Sequence, residues 1–390
     1  MPSRCSICKG KGLCGLPKCP ITSRFHALRD TRPISEYMGA SPSVFVGSYG
    51  YPRVVGGPLM INDSDNPLEW VRNNLSIEDI VSIRSRTIRG GKEMDVKVPD
   101  VGKVQEIALS SKPLDIEVSF TKPIQFDLTF DGDVTPTGLS GEMRKLDVID
   151  NAKVTRIVDS CTSDTDLRAT EAARILFENG TDVYKIQNLL TAGLLGVERN
   201  RRVVPTRWAI TATDDMLCSS YKKEVVRLPS LPDYEVYCAT MHGNTLCFIM
   251  IPANDWKFEM LERWQKQSLW ADDEESIIVD RESGMTKANY SPIAGAYYAA
   301  RLAALEYLRK TGHCAHVVCI RDISGEYWAP LGVWVIREAS HAAFAAKPYR
   351  CGTLKEALDA AVFKLGTKFW IPQIQMFRDM KEQKTVFDFF

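Results

Sequence analysis

Residues 291–323 read SPIAGAYYAARLAALEYLRKTGHCAHVVCIRDI. The first part is rich in alanine, leucine and tyrosine and predicts a long helix from Pro292 to Arg309. HVVCIRDI is a short run rich in β-branched residues and predicts a strand. A turn at Ser324-Gly325, a second strand over GVWVIREA and a helix over LKEALDAAVFKLG follow. Helices and strands interleaved in this way set the fold class as α+β, mixed α/β, with a compact carboxy-terminal α+β unit.

Upstream, EVYCATMHGNTLCFIMIP predicts a hairpin turning at His242-Gly243-Asn244, and WKFEMLERWQKQSLW has the apolar spacing of an amphipathic helix. DTDLRATEAARILFENG reads as a helix capped at Asp164 or Thr165 and stopped at Gly180, and TDVYKIQNLLTAGLLG continues in the same manner. LDIEVSF and IQFDLTF alternate like paired strands with a turn at Lys122-Pro123. SPSVFVGSYGYPRVVGGPL places a short strand, Val44 to Val46, before turns at Gly47, Gly50, Gly56 and Gly57. Glycine there lets backbone amides approach a phosphate, although the stretch matches no P-loop or dinucleotide fingerprint and a plain turn explains it as well. The resulting organisation is a cysteine-bearing module at 1–22, a large core at 23–289, the α+β unit at 290–378 and a tail at 379–390.

At 390 residues, with an apolar share of 45% and a charged share of 25%, the chain has the composition of a folded protein larger than one comfortable core. Its net charge is zero, so any contact with phosphates must come from local patches. No signal segment opens it, and Arg301 and Glu306 interrupt its most apolar helix, which argues against a membrane span and predicts a cytosolic protein.

Cys5, Cys8, Cys14 and Cys19 follow a C-x2-C-x5-C-x4-C spacing, with Gly10, Gly12 and Gly15 between them. Four thiolates this close can close a tetrahedral shell around one structural zinc ion, which would supply much of the segment's folding energy. An iron–sulfur cluster, or simple packing, accounts for the same spacing. Arg4, Lys9, Lys11, Lys18, Arg24, Arg29 and Arg32 surround the cluster with positive charge. Cys161, Cys218, Cys238, Cys247, Cys314, Cys319 and Cys351 show no ligand spacing and read as buried small hydrophobes.

The densest polar constellation is GVERNRRVVPTRWAITATDD. Arg199, Arg201, Arg202 and Arg207 fall within nine residues, beside Trp208 and the acidic pair Asp214 and Asp215. Arginine forks match phosphate oxygens, an indole offers a face to a base, and neighbouring carboxylates serve as metal ligands or as an acid/base couple. A loop whose arginines pair locally is the competing reading. Arg84, Arg86, Arg89 and Lys92 form a second basic stretch with no acid in it, read as an exposed loop. Lys287 and Tyr290 precede the long helix, where an anion would be favoured, whereas Tyr297, Tyr298, Leu302 and Leu305 read as core. His313 and His316 have the spacing of a ligand pair but lack further ligands nearby.

The segment QKTVFDFF places Gln383, Val386, Phe389 and Phe390 at positions 1, 4, 7 and 8. One 3-10 turn would put Val386 and Phe389 on one side, with Phe390 extending the apolar face. This resembles the PCNA-interacting peptide, or PIP box. The resemblance implies that the three apolar side chains enter a pocket on the sliding clamp while Gln383 bonds beside it.

With the cysteine cluster, SVFVGSYGYPRVVGGPL, RRVVPTRWAIT, MTKANYSPIAGAYYAARLAALEYL, GVWVIREA and the terminal PIP box all in order, the chain resembles the archaeal Nre family of DNA repair proteins. The resemblance implies an amino-terminal zinc module, a large core, a smaller carboxy-terminal unit and recruitment by PCNA, and it transfers no defined reaction. The leading expectation is a cytoplasmic, nucleoid-associated DNA repair protein whose zinc module and arginines contact DNA or a nucleotide. A second reading makes it an enzyme, a metal-dependent nuclease or a nucleotide-dependent DNA-modifying activity. Asp214 or Asp215 would then serve as metal ligand or general base. A third makes it a non-catalytic scaffold coupling the clamp to other repair proteins.

Overall fold

Two six-stranded mixed sheets carry the fold. The computed structural model describes residues 7–28, 32–97, 101–125, 136–271 and 273–382. They fall into two compact units, Lys18–Leu217 and a second formed by Met1–Pro17 with Cys218–Phe390.

The Lys18–Leu217 unit opens with α1 (Pro20–Leu28), followed by β1 (Ile34–Ser41), β2 (Ser43–Val46) and β3 (Arg53–Met60). Next come α2 (Pro67–Arg72), α3 (Ile77–Arg86), β4 (Ile88–Asp95), α4 (Gly102–Leu109), β5 (Leu114–Ile124) and β6 (Leu139–Val148). Strand order is β1-β5-β6-β4-β3-β2, antiparallel except where β4 meets β6. Gly56 and Gly57, expected in a turn, lie inside β3 instead. A Cβ on Gly57 would stand 2.2 Å from the Gly90 carbonyl oxygen, so the close approach of β3 and β4 requires glycine there.

The turn expected at Lys122-Pro123 is absent, because β5 runs through both residues to Ile124. Pro123 falls at an irregular step of the β1–β5 register, between the Glu36↔Ser119 and Ile34↔Ile124 pairs, where its missing N–H costs no regular rung. Most of the second predicted strand, 126–130, lies outside the described residues.

Helices dominate the rest of this unit, as the sequence predicts: α5 (Arg156–Ser163), α6 (Ala169–Glu178), α7 (Val183–Thr191) and α8 (Thr206–Val225), which carries the chain onward. Helix α6 starts later than its predicted cap. Asp164 turns its carboxylate onto its own loop, accepting from the N–H groups of Asp166 at 2.9 Å and Leu167 at 3.0 Å, and Arg168 takes the cap position.

In the second unit, β7 (Tyr234–Met241) and β8 (Asn244–Pro252) form the expected hairpin. Its two turn residues, His242 and Gly243, both have positive φ, at 49° and 73°, as a two-residue primed turn requires. β9 (Lys257–Trp264), β10 (Ser276–Ser283), α9 (Gly295–Thr311), β11 (Ala315–Ile323), α10 (Trp334–Ala345), β12 (Tyr349–Cys351), α11 (Leu354–Leu365) and α12 (Gln375–Glu382) complete it. Strand order is β10-β9-β11-β8-β7-β12. β8 and β11 are buried almost throughout because helices cover both faces of the sheet. Ala357, Ala361 and Leu365 of α11 pack with Trp370 on Val236, Ile249 and Val318, while Phe344 of α10 meets Phe248 on the other side at 4.6 Å.

Two predicted elements exchange their types. WKFEMLERWQKQSLW is strand β9, not a helix. Its glutamates are not a solvated face: Glu259 accepts the N–H groups of Gln375 and Met376, each at 2.7 Å, and Glu262 pairs with Arg321 at 2.5 Å. GVWVIREA begins helix α10, not a strand. Its Val-Trp-Val-Ile start is overruled by the alanine-rich continuation and by packing of α10 on α9, with Arg337 and Glu338 buried.

The boundary expected near residue 290 is not a seam in this sheet. β11 is hydrogen-bonded between β8 and β9, so strands from both sides of that position share one sheet. Among the described residues, no helix is long and apolar enough to cross a membrane.

Candidate nucleic-acid interface

The arginine-rich stretch divides into side chains that build the Lys18–Leu217 unit and side chains that face solvent. Arg201 is a builder. Its guanidinium donates to three main-chain carbonyl oxygens, those of Gly196 at 2.7 Å, Thr162 at 2.7 Å and Asp164 at 2.5 Å. It therefore locks the segment after α7 to the last turn of α5 and the loop that follows, and the Glu198 N–H to the Thr165 carbonyl, at 2.8 Å, is a second tie. Three of the five N–H donors of Arg201, expected at a phosphate, are used in this clamp.

Arg199 and Arg202 are exposed. With Arg168, they line a cavity of about 480 Å³ whose remaining wall includes Leu190, Leu195 and Val204. No ion pair links these three arginines to any described residue. Arg168 was not among the residues that sequence spacing picked out. It lies some thirty positions upstream, at the cap of α6, and the Arg201 clamp and the Glu198–Thr165 bond bring the two segments together.

Arg207 and Trp208 are exposed in the first turn of α8. The Thr206 hydroxyl accepts the Val46 N–H at 2.9 Å and so fixes the start of α8 against β2. That bond sets the β2–β3 loop beside Trp208, whose ring meets Tyr51 at 5.0 Å between centroids. Tyr49 in the same loop is 96% exposed, while Tyr51 and Trp208 are 43% and 44% exposed. Three uncovered aromatic rings with Arg53 and Arg207 nearby in sequence offer stacking faces and positive charge, the combination that holds single-stranded nucleic acid. The SYGYP run of alternating tyrosine and glycine was the available signal for the two tyrosines, which were read only as turn.

Asp214 is fully buried within α8 and Asp215, one residue on, is half-buried; neither lines the cavity. Adjacent residues on a helix point about 100° apart, so the pair does not present two carboxylates to one point. The basic stretch 84–92 is the end of α3 and the start of β4, not a loop. Arg86 pairs with Asp63 at 2.8 Å, Arg84 lies over the Trp70 ring and Arg89 over the Phe45 ring, both at 5.0 Å. The fold supplies the acid that the local sequence lacks.

In the other unit, Lys287 pairs with Asp280 at 2.8 Å and Tyr290 stacks on Tyr298 at 5.4 Å. His316 meets Asp255 at 2.5 Å. Tyr297, Tyr298, Leu302 and Leu305 are core, as expected. Six of the seven scattered cysteines are buried. Cys238 and Cys247 depart from the reading as isolated hydrophobes, because they face each other across β7–β8 with their sulfurs in contact.

Of the amino-terminal cysteines, Cys5 lies outside the described residues. Cys8 and Cys14 are buried and Cys19 is half-buried. Among the described residues, no three Cys, His, Asp or Glu side chains gather as a metal shell. The donor chemistry nevertheless suits a thiolate. Burial pushes the Cys8 thiol up, but the Leu13 N–H, at 3.2 Å from its sulfur, and hydrogen bonds from Cys14 and Gly12 outweigh that and hold it below its ordinary value. Gln383, Val386, Phe389 and Phe390 lie outside the described residues.

Residues 13–271 match the family profile described as Archaeal Nre, N-terminal, and residues 282–389 match Archaeal Nre, C-terminal. The DNA repair protein NreA of Archaeoglobus fulgidus is 35% identical over 94% of this chain and 95% of its own length. The DNA repair protein NreB of the same organism is 35% identical over 91% of each chain. The DNA repair protein NreA of Haloferax volcanii is 35% identical over 80% of this chain and 78% of its own. No solved structure matches the chain.

Proposed function

Because the chain belongs to the archaeal Nre family, we propose that it is a cytoplasmic, nucleoid-associated DNA repair protein brought to its substrate by the PCNA sliding clamp. The observation that carries this reading is a complete Gln-x-x-Val-x-x-Phe-Phe at 383–390 in a chain whose relatives are named DNA repair proteins. Two aromatic rings and a valine entering one apolar pocket are the kind of anchor that dominates a small interface, and binding on the order of 10⁻⁶ M follows.

DNA is met by the exposed face of the Lys18–Leu217 unit. Tyr49, Tyr51 and Trp208 stack on unpaired bases, and Arg53 and Arg207 answer the phosphates. Cys5, Cys8, Cys14 and Cys19 hold one zinc ion, which supplies folding energy to a segment too short for a core of its own. The Leu13 N–H to the Cys8 sulfur supports that role, since it stabilises the anion a metal needs.

Calorimetric titration of archaeal PCNA with the full chain and with a chain lacking 383–390 tests recruitment. Loss of binding on truncation is the expected result, and equal affinity for both chains rejects it. A gel shift with single-stranded DNA over a salt series separates a DNA-contacting protein from a pure scaffold, because phosphate contacts weaken steeply with salt.

A further inference from the structure

The cavity beside α6 is a place where positive charge converges with no acid to answer it. Arg168 reaches it from the cap of α6, and Arg199 and Arg202 reach it from the segment after α7. Asp164, Asp166, Glu171 and Glu198 are close in sequence, but none of them lines the cavity; Asp164 accepts from its own loop's N–H groups and Glu171 faces Arg174. The two walls are held in register by Arg201, which bonds the Thr162 and Asp164 carbonyls across them and the Gly196 carbonyl on its own side, so the backbone that carries the three outer arginines is fixed before any ligand arrives.

The start of α6 adds to the field. The Arg168 side chain makes no capping bond, which leaves the first-turn N–H groups of Ala169 and Thr170 open. Gly196, whose φ of +105° favours glycine, lies beside that turn: a Cβ there would meet Ala169 at ordinary contact distance. Leu190, Leu195 and Val204 give the cavity an apolar side. Its volume of about 480 Å³ exceeds what a bare phosphate needs and falls within the small-molecule range of about 300–1,000 Å³.

We propose that this cavity binds the terminal phosphate of a nucleotide, with the three arginines on the phosphomonoester and the sugar or base against the apolar side. A terminal phosphate carries nearly two negative charges at neutral pH and a phosphate within a strand carries one, so three guanidiniums favour an end over the middle of a strand. Either a free mononucleotide or the 5′-phosphorylated end of a DNA strand supplies this chemistry. The choice of a nucleotide rests on the DNA repair reading; the anion site itself rests on the cavity.

Fluorescence anisotropy with the full chain tests it, using a ten-nucleotide oligothymidylate with a 5′-phosphate or a 5′-hydroxyl, and deoxyadenosine monophosphate as competitor. The phosphorylated strand is expected to bind about tenfold tighter or more than the hydroxyl strand. Arg199→Gln and Arg202→Gln should each erode that preference and Arg168→Glu should abolish it, with melting temperatures unchanged because all three side chains are exposed. Competition by the mononucleotide identifies the free nucleotide as a ligand. Preference for the phosphorylated strand without such competition identifies the DNA end. The proposal is overturned if neither the preference nor mononucleotide binding is observed, or if either survives when Arg168→Glu, Arg199→Gln and Arg202→Gln are combined in one chain. A chain that takes the mononucleotide but ignores PCNA and DNA refutes the recruitment reading and leaves the cavity standing. A chain that binds both PCNA and DNA yet neither tells the two ends apart nor takes the mononucleotide does the reverse.

Discussion

Replacing Glu282 with glutamine removes the carboxylate that two buried cations share. Lys222 donates to one of its oxygens at 2.9 Å and Arg301 to the other at 2.5 Å, and the Trp256 indole N–H joins the first at 3.1 Å. Lys222 is 2% exposed and Arg301 is 0% exposed. Glutamine keeps the volume but offers one oxygen where there were two and sets an NH2 group against a donor. Breaking a buried pair from one side costs about 3–5 kcal/mol, because the partner charge stays buried. Set against a total stability of roughly 5–15 kcal/mol, that is a large loss.

The pH dependence has a definite sign. Burial pushes the Glu282 carboxyl up, but Arg301 and Lys222 outweigh it and hold the group below its ordinary value of 4.5. Its contribution is therefore full above that value and is lost as the pH falls through the folded value. Urea unfolding followed by tryptophan fluorescence, with Trp256 as a built-in reporter, should show a wide gap between wild type and Glu282→Gln at pH 7 that narrows in acid. A gap at pH 7 of no more than about 0.5 kcal/mol, the scale of an ordinary surface substitution, would falsify the claim that this carboxylate is what holds the two cations inside.

Other substitutions probe other parts of the chain. Arg201→Ala should cost about 3 kcal/mol in thermal or urea unfolding through three lost charge-assisted bonds to backbone; a change indistinguishable from zero would mean the two segments are held together without it. Trp208→Ala should weaken single-stranded DNA binding by about 1–3 kcal/mol in an anisotropy titration while leaving the melting temperature unmoved, and undiminished binding would take the ring out of the interface. Burial alone would push the His341 imidazole down, yet Glu306 and Glu338 outweigh it and hold it up at about 9. The stability that wild type gains over His341→Gln should therefore be full below the ordinary 6.5 and disappear as the pH rises through about 9, read from urea midpoints at pH 6 and pH 10. An equal gain at both would mean that the imidazole contributes by packing and not by charge.

The elements legible in the sequence were those whose local chemistry and tertiary surroundings agree. The alanine-rich run became α9, HVVCI became β11, and His242-Gly243 turned a hairpin with both residues at positive φ. The illegible ones answered to distant partners. The glutamates of β9 looked like a wet helical face, yet Glu259 binds backbone N–H groups more than a hundred residues away and Glu262 pairs with Arg321. Likewise, no spacing rule could separate Arg201, bonded to three carbonyls, from Arg199 and Arg202, which line the open cavity. Proximity in sequence grouped four arginines; the fold kept two of them together, added Arg168 and turned a third inward.

The threading of β11 between β8 and β9 bears on how the protein is made. A ribosome releases the chain from its amino terminus, so β7 to β10 emerge first, with the facing edges of β8 and β9 both unpaired. Neither edge is closed until Ala315–Ile323 has left the exit tunnel, and open edges invite pairing with other nascent chains. Synthesis that stalls between Ser283 and Ala315 therefore leaves both of these edges open. Splitting the gene there would require the two products to find each other before anything else did.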